Sequence, residues 1–339
     1  MKNWKKFLVC GFIACSLIGA GGMITVEAAE SNTAGAKSVH FQNGPWKMAG
    51  NLYFPKNVEK GKKYAAIIVV HPGGGVKEQT SGLYAKKLSE KGFITLAYDA
   101  SHQGESEGLP RFLENPTERV EDIRSAVDFL TTLPQVDTDK IGVVGICAGG
   151  GFAVSAAQTE HRIKAVATAS AVDIGTTFRN GWNGKGTVAD QLKTLEAIAK
   201  QRTAEANGAE PLYTQYVPEQ NEITKDTERD MKEASDYYRT PRGQHPNAQN
   251  KVLFTSFDKV LAFNAFSQID TLLTQPVLFI AGTEAGSLWQ TEMAYKKATG
   301  PKELFLIEGA THMDLYDIPQ YVNQAADKME IFFHKNLEK

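Results

Sequence analysis

The chain reads as an α/β protein: a mostly parallel, doubly wound sheet carrying an inserted helical cap. Three observations carry that reading. Apolar runs of strand length, at 65–70, 93–98, 141–146 and 163–169, alternate with helix-patterned stretches, as a parallel sheet with crossover helices requires. The stretch Val143–Gly151 (V-V-G-I-C-A-G-G-G) passes from one such run into a small-residue helix pattern, with glycine two residues before and two after Cys147. The alternation then breaks at Asp173 and resumes only after Thr274, across a charge-rich stretch with no strong strand pattern.

Residues 1–28 have the pattern of an export signal rather than of fold. Lys2, Lys5 and Lys6 precede the mostly apolar Phe7–Val26, and Val26-Glu27-Ala28 places small residues at −3 and −1 of a cleavage site. An uncleaved N-terminal anchor is the rival, since the apolar stretch is nearly long enough to span a bilayer; Cys15 offers only a poor lipoprotein match. Removal of the segment takes three lysines and one glutamate, moving the formal net charge from −2 to −4. That leaves no basic surplus to hold nucleic acid or an anionic membrane, and no acidic tail. The expectation is a secreted or extracytoplasmic domain, residues 29–339, with no stable membrane association. Cys10 and Cys15 leave with the signal, so Cys147 is the sole thiol of the mature chain and no intramolecular disulfide can form.

Val39–Pro55 reads as a hairpin turned at Asn43-Gly44-Pro45. The buried-strand run Ala65–Val70 leads directly into His71-Pro72-Gly73-Gly74-Gly75, where glycine lets backbone N–H groups approach a ligand closely. A helix at Tyr84–Lys91 and the strand Phe93–Tyr98 follow. The helix Thr117–Leu133 has Asn115 as N-cap and Pro116 at its first position, and Val120, Ile123, Val127 and Leu130 form one apolar stripe. Asp137–Lys140 reads as the turn into the central strand.

At that strand's end lies the sharp strand-to-helix elbow around Cys147. A backbone that turns this abruptly brings residues −2 and +2 together, which is why glycines stand there. The thiol then projects at the sheet edge, and the N–H of Ala148, at the helix N-terminus, points to the same spot and is positioned to receive a developing oxyanion. Gly73 and Gly74 are candidates for the second donor. The plain alternative is a small buried hydrophobe in a glycine-rich turn.

The break at 173–274 reads as a cap over the carboxyl edge of the sheet, where ligands of open α/β sheets bind. Its helix-like stretches are Ala189–Ala206 and Thr227–Tyr238. Phe254, Phe257, Phe263 and Phe266, with Trp182 and Trp289, either line a pocket or fasten the cap to the core. Arg239 and Arg242 are candidates to orient a substrate carboxylate, surface charge being their ordinary role. The sheet resumes at Pro276–Ala281, a helix follows at Leu288–Ala298, then the strand Glu303–Ile307. His312 falls in the loop after that last strand and is the candidate general base. An amphipathic helix through Tyr321, Val322, Ala325, Met329 and Phe333 closes the domain.

Together, G-I-C-A-G-G-G at Gly145–Gly151, the His71–Gly75 loop and E-G-A-T-H-M-D-L-Y-D at Glu308–Asp317 resemble the α/β-hydrolase superfamily, and within it the dienelactone-hydrolase-like branch that uses cysteine. The resemblance covers most of Val39–Lys339. It implies an α/β-hydrolase fold, a nucleophile–His–acid triad, no cofactor and no metal, and a small-molecule acyl substrate (an ester, thioester or lactone) passing through a covalent Cys-acyl enzyme. An acyltransferase on the same scaffold and a degenerate exported binding protein are the alternatives. In the superfamily the triad acid stands in the loop after the strand placed here at Pro276–Ala281. That loop, Gly282-Thr283-Glu284-Ala285-Gly286-Ser287, contains no aspartate. Glu284 is the expected acid and Asp314 its rival.

Overall fold

The structure, a computed structural model, describes residues 35–338. The proposed signal, residues 1–28, lies outside the described residues. Among the described residues no helix is long and apolar enough to cross a membrane.

An antiparallel hairpin of β1 (Lys37–Asn43) and β2 (Trp46–Tyr53) opens the chain, turned at Gly44 with φ +53°. Then β3 (Tyr64–Val70), α1 (Thr80–Glu90), β4 (Ile94–Tyr98), α2 (Pro116–Thr131), β5 (Val136–Ile146), α3 (Ala148–Ala157) and β6 (Ile163–Ala169) alternate as strand and helix. The excursion that follows holds α4 (Ile174–Asn180), α5 (Val188–Ala206), β7 (Tyr213–Gln215), α6 (Arg229–Arg239), β8 (Lys251–Leu253) and α7 (Phe257–Ala262). The chain returns through β9 (Val277–Gly282), α8 (Leu288–Lys297), β10 (Lys302–Ile307), α9 (Asp314–Asp317) and α10 (Pro319–Leu337).

The eight-stranded sheet runs β1-β2-β4-β3-β5-β6-β9-β10, antiparallel through β1, β2 and β4 and parallel from there on. Strands β3, β4 and β9 are buried along their whole length, which is what their uninterrupted apolar sequence demands once helices cover both faces. The chain steps outward from β3 to β4 and then crosses back to β5. The carboxyl ends of β3 and β5 therefore flank the point where the winding reverses, the place where such sheets open a crevice. Both glycine-rich segments picked out above leave the sheet at this point.

Local signals account for most boundaries. Asn115 accepts the N–H of Thr117 at 3.2 Å and Pro116 occupies the first turn of α2. Three differences from the sequence reading have physical causes. Helix α1 starts at Thr80, before the apolar pattern begins, because Thr80, Ser81 and Gly82 are buried against the preceding turn. Strand β5 begins at Val136 and takes in Asp137–Lys140, which reads as a turn, by pairing Val136 with Tyr64 across a register shift. The excursion contains a short antiparallel ladder, Tyr213↔Leu253 to Gln215↔Lys251, in strands too short to show a period-two pattern. Of its phenylalanines, Phe263 fastens the excursion to the core by packing on Phe152 at 5.9 Å between ring centroids, while Phe178 and Phe257 pack on each other within it at 4.6 Å.

Candidate active site

Cys147 sits between β5 and α3 with φ +55° and ψ −125°, a backbone conformation that L-residues adopt only when their surroundings impose it. Its N–H donates to the carbonyl of Ala169 (3.0 Å), and its carbonyl accepts from Gly150 (2.9 Å) and Val172 (3.1 Å). The flanking glycines are required by close backbone approach. A Cβ on Gly145 would run into the carbonyl of Gly149, and one on Gly149 into the carbonyl of Val70 at the end of β3. The sulfur is thereby held at a cavity that Ala148 and Gly73 also line, and the N–H groups of these two residues favour its ionised form. Of the two glycine candidates, Gly73 is the one that lines the cavity with Cys147. Gly74 instead makes the turn, with φ +69°, and the Tyr216 ring packs over both glycines.

His71 anchors that loop and is not a base. Its Nδ1–H donates to the Pro72 carbonyl at 2.6 Å, and its Nε2 accepts the N–H of Ala100 at 3.1 Å. Burial and the Arg119 charge hold it neutral, well below the usual histidine range. Buried Arg119 donates to the His71 carbonyl (3.0 Å), lies 3.8 Å from Glu114 and stacks over Phe152 at 4.8 Å. Glu114 in turn accepts from the Tyr216 hydroxyl at 2.7 Å. This buried network fixes the Gly73 N–H from behind.

His312 lies in the loop after β10, 1 % exposed, and faces the same cavity as Cys147. Its Nδ1 meets Ser287 Oγ at 2.6 Å, and its Nε2 is 3.5 Å from the hydroxyl of Tyr316 one helical turn on. The Trp182 indole packs edge-on against the imidazole at 4.8 Å. Burial drives the His312 pKa down to about 4, opposed by the charge of Asp230. Burial also pushes the Cys147 thiol up; the Tyr316 hydroxyl, the Ala148 N–H, the Arg119 charge and the Gly73 N–H offset part of that rise. Burial thus favours the uncharged form of each group, thiol and neutral imidazole.

Glu284, the expected acid, does not reach His312. Its side chain is 58 % exposed and pairs with Arg229, which also donates to the Glu284 carbonyl. The loop turns so that residue 284 faces solvent and residue 287 faces inward. Asp314 is engaged locally, accepting the N–H of Thr311 at 2.9 Å while Thr311 Oγ1 accepts the Asp314 N–H at 3.2 Å. The buried carboxylate beside His312 is Asp230 of α6, 4 % exposed, and the sequence reading missed it together with Ser287 and Tyr316. Of these only Tyr316 had a local signal, its spacing of four from His312.

The cavity has a volume of about 200 Å³, and its walls are largely apolar, formed by Ile174 and Phe178 of α4, Met231 and Ala234 of α6, and Val217 and Met313. Trp182 lines it; Trp289 instead supports Trp182 by donating to its carbonyl at 3.0 Å. Among the described residues Asp230 is the one acidic side chain on the wall and no lysine or arginine lines it; Arg229 meets Asp230 Oδ1 at 3.7 Å without lining the cavity. Arg239 and Arg242 point elsewhere: Arg242 grips Asp317 through two bonds of 2.9 and 2.7 Å, and Arg239 ties Gln215 and the Val217 carbonyl. Elsewhere, Glu78, Asp99 and Glu105 converge, but on the Lys77 ammonium at 2.6–2.9 Å, so their charge is already met.

The sheet order, the elbow at the end of β5 and the histidine after the last strand define an α/β hydrolase. Residues 48–241 match the Dienelactone hydrolase family. The chain belongs to that family and is a hydrolase. It is 44 % identical to the uncharacterized protein YcjY of Escherichia coli K12, over 84 % of this chain and 93 % of that one. The crystal structure of the hypothetical protein PA2218 from Pseudomonas aeruginosa superposes with a TM-score of 0.84 at 37 % identity, covering 91 % of this chain and 96 % of the other. The α/β hydrolase GrgF from Penicillium sp. shares the fold, with a TM-score of 0.74 at 20 % identity over 90 % and 99 % of the two chains. More distant relatives include a protein named as the acyltransferase drtE of Aspergillus calidoustus (25 % identical; 88 % and 96 % covered) and one named as the thiohydrolase aneE of Aspergillus aculeatus (26 %; 79 % and 83 %).

Proposed function

We propose that this enzyme hydrolyses esters or thioesters of uncharged, largely apolar acyl groups through a covalent intermediate on Cys147. The observation that carries the reading is the strained elbow, which points one sulfur at two backbone N–H groups in a cavity shared with a buried histidine. His312 Nε2 removes the thiol proton as the sulfur bonds to the acyl carbon. The carbonyl oxygen takes up negative charge and is received by the N–H groups of Ala148 and Gly73. The tetrahedral intermediate collapses, breaking the bond to the leaving group, which takes the proton from His312. A water then gives a proton to His312 and its oxygen to the acyl carbon; release of the acid returns the proton to the sulfur. Burial disfavours the charged form of both groups, which supports general-base attack over a preformed thiolate–imidazolium pair. Relatives named for thiohydrolase and acyltransferase activity support acyl-bond chemistry. We further infer export, on the strength of residues 1–28 alone.

The apolar wall sets the substrate's charge. A carboxylate carried into the cavity would be desolvated beside Asp230, with no lysine or arginine on the described wall to meet it, which costs on the order of several kcal/mol. A chromogenic hexanoate ester should therefore exceed the matched hemi-adipate ester in kcat/KM by on the order of 100-fold. Equal rates would contradict the assignment. Adding a nucleophilic alcohol or amine separates a transferase, which would turn over only in its presence.

A further inference from the structure

We propose that Asp230, brought in by α6 of the excursion rather than by the sheet, is the carboxylate that positions His312 and stabilises its protonated form. The inference rests on the reading of His312 as the base. The side chain that meets His312 Nδ1 is Ser287, at 2.6 Å, in the loop where the fold ordinarily places an acid. A hydroxyl selects a tautomer, but it carries no charge to balance an imidazolium. Asp230 supplies one. Its Oδ2 accepts two N–H groups that belong to the histidine's own surroundings: that of Gly286 at 2.9 Å, one residue before Ser287, and the indole of Trp182 at 2.8 Å, whose ring packs on the imidazole. Glycine at 286 permits the approach, since a Cβ there would stand 2.7 Å from Asp230 Oδ2. The carboxylate thus holds, from one side of the cavity, both the loop carrying Ser287 and the ring covering His312. It acts through them and is a positioning residue.

The other groups facing this pair are Arg229, whose Nε is 3.7 Å from Asp230 Oδ1, Glu233 on the same helix, and Cys147, Tyr238 and Tyr316 across the cavity. A carboxylate that merely fastened α6 to the sheet would make the same two hydrogen bonds. The two roles separate in the pH profile, because only a charge acting on His312 moves the pH at which the base becomes protonated.

The test compares wild type, Asp230→Asn, Asp230→Glu and Glu284→Gln in kcat, KM and the acid limb of kcat/KM, with circular dichroism to confirm folding. Asn keeps an oxygen to accept both N–H groups while losing the charge. The expected result for Asp230→Asn is a fall in kcat of at least about tenfold with KM little changed, and an acid limb displaced to lower pH. Glu284→Gln should match wild type. Asp230→Glu should keep the wild-type limb and at least about a tenth of the rate. A folded Asn variant with an unmoved limb, whatever its rate, overturns the proposal. Should that variant not fold, a folded Glu variant with a displaced limb, or with a rate more than about a hundredfold below wild type, overturns it instead. Loss of activity in His312→Gln establishes the base separately, so a failure of Asp230 leaves that assignment standing.

Discussion

Cys147→Ala abolishes turnover of every ester or thioester the wild-type enzyme accepts, while the thermal unfolding midpoint stays close to wild type. The effect is all-or-none because Cys147 is the only cysteine among the described residues. Folding is spared for a structural reason. The elbow's strain resides in the backbone at φ +55°, which alanine meets with the same Cβ, and the hydrogen bonds to Ala169, Gly150 and Val172 are all made by main-chain atoms. Measuring hydrolysis and melting on one preparation checks both halves. A folded variant that retained hydrolysis would place the chemistry elsewhere.

His312→Gln lowers kcat by two orders of magnitude or more, the scale on which a positioned general base contributes. The sign of the accompanying pH dependence follows from burial. His312 accepts a proton only when neutral, and its pKa is held at about 4, so wild-type activity is present well above that pH and is lost as pH falls through it. The Cys147 thiol is displaced upward, so its alkylation by iodoacetamide in the absence of substrate is slow at neutral pH and accelerates only toward alkaline pH. An acid limb near the ordinary histidine value, or fast alkylation at pH 6, would indicate a resting ion pair instead.

What the sequence disclosed here, and what it hid, divides by the range of the interaction. The elbow was legible because its constraint is local: Gly145 and Gly149 are four residues apart and their backbones nearly touch. The strand that precedes it and the loop His71–Gly75 follow from uninterrupted apolar runs ending in glycine, and His312 follows from its place after the last strand. The carboxylate was not legible. Which residue of Gly282–Ser287 turns inward depends on the N–H of Glu284 bonding to the Ala310 carbonyl (2.9 Å) and on Arg229 drawing the Glu284 side chain into solvent. Nothing within that loop's own sequence encodes either contact. Asp230 is further removed still, since its burial requires α6 to form part of the cavity wall, and in sequence it is one charge among many in Arg229–Arg239. Arg242, a candidate for a substrate carboxylate with surface charge as its ordinary role, is committed to Asp317 at the end of α9, a partner its local sequence does not encode.

The proposed catalytic cycle requires a bond between an acyl group and the sulfur of Cys147. Intact mass spectrometry of the enzyme quenched in acid during turnover of a hexanoate ester, followed by peptide mapping, reads that bond directly. The predicted result is an adduct of one hexanoyl group on the peptide containing Cys147, more abundant in His312→Gln whenever deacylation is slowed more than acylation, and absent from Cys147→Ala. Turnover by the wild type with the acyl group on another residue, or with Cys147 unmodified and open to alkylation throughout, would contradict it.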